Sequence, residues 1–286
     1  MLLVLVPSAL MVKLTVFTMV VFFMKRETPI VKQANRTMTS IQLCSHLLLF
    51  LFPWLPVITP LSPTTCIVEQ VFLGIAFSIT LSINISKSQK LYMIVTSKVI
   101  MSNTEILMTK ASEWLIIMVA LMINALIHLL SFINTQVTVK QKYFDQTLTK
   151  ESYCSNEIMI YIQLFIAAIL SLCNGVQGFR ARKLPSRFQE ANHVIYSSFI
   201  STVVFIAATA TYFSQKSMVD RSFIVLLVTT VYNTAHFVLL YGYKLFIIVF
   251  RPHLNTKEVF KKKRLDKIGH DLVTGVHNVN MSGLRK

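Results

Sequence analysis

The chain has 286 residues, of which 54% are hydrophobic and 14% charged, with a net charge of +16 and a mean hydropathy of +0.60. Soluble domains carry about 25% charged residues. Composition therefore excludes an ordinary water-soluble globule, a disordered chain, a collagen and a disulfide-dense secreted scaffold, and leaves a polytopic membrane protein.

A helix needs roughly 20 apolar residues to cross a bilayer and a strand about 10. The apolar runs here are long and do not alternate, so they predict an all-α bundle of spanning helices and not a barrel. Seven spans are predicted in chain order: Leu2–Met24, Thr37–Pro60, Thr65–Ser86, Ala111–Ile133, Asn156–Phe179, Ala191–Phe213 and Phe223–Phe250. Residues 1–250 then form a seven-transmembrane domain and residues 251–286 a basic tail. No repeat of solenoid or inverted-transporter type is visible.

The basic residues are sorted by side. The connections after spans one, three and five hold four Lys/Arg each, and the tail holds nine. The connections after spans two, four and six hold none, three and two. The positive-inside rule places the odd connections and the C-terminus in the cytoplasm and the N-terminus outside. The run Lys261, Lys262, Lys263, Arg264 just past span seven reads as an electrostatic tether to anionic lipid, worth about 1 kcal/mol per charge. Nucleic acid is not an expected partner, because the charge is split among short loops and forms no single face.

Of four cysteines, Cys44 and Cys173 fall inside spans and read as small buried hydrophobes. Cys66 and Cys154 are the two on the outer, oxidising side. A bridge between them would pin the outer loop across the bundle mouth; the alternative is two free thiols. Sequons at Asn35, Asn84 and Asn280 fall in the membrane or cytoplasm and should be unused.

No HExxH motif, paired CxxC or Gly-rich phosphate loop occurs. No enzyme activity, metal site or cofactor is expected. His46, His128 and His236 lie in spans without a carboxylate or Cys cluster and read as helix-packing residues.

The segments flanking the spans resemble class C (family 3) G-protein-coupled receptors. Thr28-Pro-Ile-Val-Lys32 with Asn35-Arg36 resembles the first inner loop of that family, and Phe72-Leu-Gly74 after Cys66 its third-helix opening. Arg182-Lys-Leu-Pro185 with Phe188-Gln-Glu-Ala191 resembles the third inner loop, and Phe250-Arg-Pro-His-Leu-Asn-Thr256 the end of the seventh helix. These matches run in order over residues 20–256. The resemblance is nearest to calcium-sensing, vomeronasal type 2 and metabotropic glutamate receptors.

The resemblance implies a plasma-membrane receptor that couples to a heterotrimeric G protein and works as a homo- or heterodimer with class C receptors. It also implies an outer clamshell domain, which this sequence does not contain. The chain therefore reads as a fragment or as a receptor without that domain; Lys13 at mid-span favours the fragment. A cleaved signal peptide at Met1–Met24 is a weaker reading, because no basic segment precedes it. By the same resemblance Lys87 and Glu190, at the inner ends of spans three and six, form an inactive-state ion pair. An allosteric pocket is expected in the upper half of spans three, five, six and seven, with Phe205, Tyr212 and Lys244 as candidates. Phe205 stands where the family has Trp, Ala210 where it has Pro, and Tyr243 where it has Pro. Lys244 either snorkels to the headgroups, the favoured reading, or makes an internal polar contact. The G-protein face would use Lys32, Arg36, Arg182, Lys183, Leu184, Arg187 and Phe188. Two other functions remain in view: a non-signalling remnant that only dimerises, and a transporter or channel. The second is disfavoured because mid-span ionisable residues are few.

Overall fold

The computed structural model describes residues 1–96, 103–134, 138–143, 150–154, 157–181, 189–215 and 218–256. Span one is α1 (Leu2–Met24), followed by the short inner helix α2 (Pro29–Gln33). Span two is α3 (Arg36–Leu51), one 3₁₀ turn (Phe52–Trp54) and α4 (Leu55–Ile58). The turn falls where Pro53 and Pro56 remove backbone donors from the helix. Spans three to six are α5 (Pro63–Thr96), α6 (Asn103–Asn134), α7 (Glu157–Ala181) and α8 (Gln189–Ser214). Span seven is α9 (Met218–Phe237), a π turn (Val238–Gly242) and α10 (Tyr243–Phe250), and a 3₁₀ turn at Pro252–Asn255 follows.

Six of the spans are long and apolar enough to cross a membrane. In α7 the apolar stretch is shorter, Tyr161–Gln177, yet its 25 residues at 1.5 Å each exceed a 30 Å hydrocarbon core. The molecule is an all-α membrane bundle. It carries one addition that the apolar pattern did not announce. The outer loop between α6 and α7 holds an antiparallel hairpin of β1 (Val139–Tyr143) and β2 (Lys150–Cys154), with Val139 opposite Cys154.

Large apolar side chains cover the outside of the bundle, among them Leu115, Met118 and Met122 on α6. The inside holds an unusual share of Ser, Thr and Asn. Lipid is as apolar as leucine, so burying leucine does little to hold helices together, and close packing with interhelical hydrogen bonds takes over. Spans five and six show this. Ser198 donates to Asn174 Oδ1 (2.8 Å), Thr202 donates to the Ser171 carbonyl (2.9 Å), and a Cβ on Gly175 would lie 2.9 Å from Thr202 Oγ1.

The same logic corrects the reading of Cys44 and Cys173. Both are exposed on the outward surface, not buried. A small apolar side chain facing hydrocarbon loses nothing by leaving the core, so hydropathy does not sort it inward. α8 runs unbroken through Ala210, where a family proline would kink it.

Cys66, at the start of α5, is bonded to Cys154, the last residue of β2, with Cα atoms 5.9 Å apart. The bridge places this end in an oxidising compartment, in agreement with the charge bias. It closes a loop of 88 residues, which in the chain-entropy model stabilises by about 4.6 kcal/mol. Cys66→Ser should lower the thermal midpoint of the lipid-embedded protein by several degrees and abolish the effect of reductant on it. An unchanged midpoint would show that the loop contributes nothing to the bundle.

Candidate functional site: a polar chain beneath an apolar cavity

Beneath the disulfide, spans three to seven enclose a cavity with about 40 Å³ of free space. Its lower wall is aromatic. Phe77, Phe205 and Tyr232 form a triangle with ring centroids 5.1–5.4 Å apart. Phe205 and Tyr212 both line the cavity, as the resemblance implied. Lys244 is not among its lining residues; it sits in α10, only 8% exposed. That burial favours the internal contact over snorkelling: Lys244 is buried on the same helix as Ile247 and Ile248.

The outer rim is held by Arg221, which sequence reasoning did not single out. Its Nη1 donates to Tyr161 Oη (3.0 Å), and its guanidinium lies 5.6 Å from the Tyr212 ring centroid. Tyr161 packs edge-on against Tyr212 at 5.6 Å.

One side of the cavity is polar. Asn124 donates to the Gly74 carbonyl (3.1 Å) and to Ser78 Oγ (2.9 Å). Gln163 donates to the Gln70 carbonyl (2.6 Å) and lies 3.2 Å from His128 Nε2. These groups converge on Gly74, where a Cβ would meet Asn124 Oδ1 and His128 Nε2 at 2.9 Å. The glycine of the Phe72-Leu-Gly74 motif is thus needed for close approach. Asn124 Oδ1 is buried and has no partner among the described residues, so the cavity offers one open acceptor.

Below the aromatic triangle, the Tyr232 ring packs tilted against His236 at 5.3 Å, and there a chain of hydrogen bonds begins that runs to the inner end. Lys87 Nζ donates to Gln42 Oε1 (2.7 Å), as does Tyr241 Oη (2.8 Å). Gln42 Nε2 donates to Asn84 Oδ1 (2.9 Å). Asn84 Nδ2 in turn contacts His236 Nε2, His236 Nδ1 lies 3.4 Å from His46 Nε2, and His46 Nδ1 contacts Asn233 Oδ1. Asn233 Nδ2 closes the series on the His46 carbonyl (2.9 Å). Spans two, three and seven are joined by this one series. Both imidazoles fit it as neutral rings protonated on Nδ1. Among the described residues no group of three metal-ligating side chains occurs, and both rings have their nitrogens engaged with each other and with amides.

At the inner end the family-like motifs meet. The Ile30 amide of the first loop donates to Asn255 Oδ1 beyond span seven (3.2 Å). Lys32 and Arg36 both pair with Glu27, at 2.8 and 3.0 Å. The hydrogen bond from Lys32, aided by the Arg36 charge, holds the Glu27 carboxyl below its usual range. Lys90 pairs with the buried Glu113 at 2.7 Å. Glu190 opens α8, but its side chain lies outside the described residues, as do Arg182, Lys183, Leu184, Arg187, Phe188 and the tail run Lys261–Arg264.

Sequence reasoning treated His46 and His236 as separate packing residues and passed over Gln42, Asn84 and Asn233. A signal was present: Gln42 with His46 and Thr80 with Asn84 recur four residues apart, one polar face on each apolar span. Asn84→Ala and His236→Ala should each destabilise the bundle by about 1–2 kcal/mol, with a double-mutant coupling near 1 kcal/mol. Additive losses in lipid-embedded unfolding would sever this link of the chain.

Comparison with known proteins accords with this architecture. The model of the family described as the 7 transmembrane sweet-taste receptor of 3 GCPR matches residues 1–244. Vomeronasal type-2 receptor 116 of Mus musculus is 27% identical over 266 residues, covering 90% of this chain and 30% of the relative. Metabotropic glutamate receptor 4 of Mus musculus is 23% identical over 261 residues, covering 87% and 28%, and its Rattus norvegicus counterpart is 22% identical over the same length. The chain spans less than a third of the length of these curated relatives. With the family match covering most of the chain, six membrane-length apolar helices among the described residues and the bridge from the third span to the outer loop, the chain is a multi-pass membrane protein that belongs to the class C (family 3) G-protein-coupled receptor family.

Proposed function

We propose that this chain is the transmembrane signalling domain of a plasma-membrane receptor. It converts an outer ligand or dimer signal into a helix rearrangement that activates a heterotrimeric G protein. The observation that carries this reading is the continuous contact path from cavity to inner end: Phe205 on Tyr232, Tyr232 on His236, and the polar chain from His236 to Lys87. A ligand that repacks Phe205 shifts Tyr232, and Tyr232 bears on the ring that holds spans two, three and seven together. A ligand acts here only through different affinities for the resting and active packings.

The cavity in its present packing has room for about one water. An allosteric molecule therefore selects an opened packing, is mostly apolar, and presents one N–H or O–H donor to Asn124 Oδ1. Lys87 and Glu190 supply the resting-state pair at the inner end, with Lys87 already held by Gln42. The G protein meets the basic inner loops, whose charges set encounter rate and orientation more than affinity. The partner is a second class C receptor, like or unlike. The tail from Arg251 onward is a separate basic segment tethered to anionic lipid through Lys261–Arg264.

Activation of purified G protein by the lipid-embedded chain tests the reading directly, with nucleotide exchange as the readout and solute flux in vesicles as the control. Flux without exchange would replace it with a transporter. Glu190→Ala should raise basal exchange several-fold in a receptor of unchanged stability, and unchanged basal exchange would remove the lock. Phe205→Ala should abolish modulation by any small molecule that acts through the cavity, and retained modulation would remove Phe205 from the path.

A further inference from the structure

A second cavity, far from the first, opens at the inner end between the first connection, α5 and α6. It has about 480 Å³ of free space, within the range of small-molecule sites. Three cations line it: Lys32, Arg36 and Lys90, against one carboxylate, Glu113. Glu113 is committed. One oxygen takes Lys90 at 2.7 Å and the other takes Asn35 Nδ2 at 3.0 Å. Its charge is therefore used to brace the wall. Lys32 and Arg36 are instead held by Glu27, which is 69% exposed. An exposed pair is worth little and exchanges partners readily.

The start of α3 adds to the same space. Asn35 is its N-cap residue, yet its side chain turns to Glu113 and makes no cap. Asn35 is held at φ 58, the one positive φ outside glycine among the described residues. Arg36 and Thr37, in the first turn of α3, line the cavity, and the start of a helix favours negative charge.

The rim distinguishes a lipid from a soluble anion. Trp114 lines the cavity and is 44% exposed, as an interfacial indole is. Beyond it α6 presents Leu115, Met118, Val119 and Met122 outward, a row that runs into the hydrocarbon layer.

We propose that this cleft binds the phosphomonoester headgroup of an inner-leaflet phospholipid, with its acyl chains lying along the outer face of α6. Arg36 takes the phosphate with two parallel N–H donors, and Lys32 completes the charge around it. With Lys90 held by Glu113, Lys32 and Arg36 are the cations left over, and a dianionic phosphomonoester matches these two better than a monoanionic diester does. This reading does not require G-protein coupling, although Lys32 and Arg36 belong to the same inner face.

The test uses the full chain in lipid nanodiscs of phosphatidylcholine, with either phosphatidylinositol 4-phosphate or phosphatidylserine at equal total charge. Native mass spectrometry reads the lipid that stays bound. The phosphoinositide should be retained about tenfold over phosphatidylserine. Arg36→Gln should remove that preference and Arg36→Lys should keep part of it. Changing Lys261–Arg264 to Gln should leave it intact. Should Arg36→Gln fail to fold, Lys32→Gln removes the other cation held only by the exposed Glu27 and should still cut retention several-fold. Equal retention of the two lipids, or loss only in the tail variant, overturns the proposal. Equal competition by water-soluble inositol 4-phosphate reassigns the cleft to a free phosphate, and displacement of the lipid by an acidic G-protein peptide through Arg36 reassigns it to protein contact; either result overturns the lipid.

Discussion

A bundle surrounded by hydrocarbon has no water with which to satisfy a stray polar group. A buried amide or imidazole that finds no partner inside stays unsatisfied at a cost in free energy. That constraint organises this receptor. Gln42, Asn84, His46, His236 and Asn233 are all buried at the centre, and each is accounted for by the next. Apolar contacts tell these helices little about rotation or depth. The polar series does tell them, because an amide displaced by one helical step loses its partner outright.

The rest of the architecture is arranged around that centre. Above it lies an apolar and aromatic layer with a small cavity, closed outside by the Cys66–Cys154 bridge and the Arg221–Tyr161 contact. Below it lies a charged layer in which Lys90, Glu113 and Asn35 fix the first connection against spans three and four. The Ile30–Asn255 hydrogen bond ties that connection to the end of span seven. The two cavities thus sit at opposite ends, one apolar with an open acceptor and one cationic with an exposed indole. Their chemistries do not overlap, so one molecule cannot serve both.

Much of this was legible in the chain. Long apolar runs and the one-sided placement of Lys and Arg carry the all-α, seven-span reading because bilayer thickness and insertion act on single segments. Cys66 and Cys154 could be paired on paper because topology left them alone on one side. The polar chain was harder. Asn84 and Gln42 hide in hydropathy averages, and which amide meets which imidazole depends on how three helices are rotated about one another. Lys244 shows the same limit, since its distance from the span end permitted both snorkelling and burial. The hairpin of β1 and β2 carries little hydrophobic signal, and the π turn at Val238–Gly242 carries no local sign at all. Cys44 and Cys173 were misread because a span shows hydropathy but not which of its sides meets lipid.

The central series has a direction. Lys87 can only give protons and the His46 carbonyl can only take them, so both termini dictate the same sense of travel. In many buried networks an amide can flip silently and the pattern heals. Here a flip of Gln42 or Asn84 would set donor against donor on one side and acceptor against acceptor on the other. The series is either whole or interrupted and has no halfway form. Such all-or-none behaviour is what lets a packed interior hold two distinct arrangements and nothing between them.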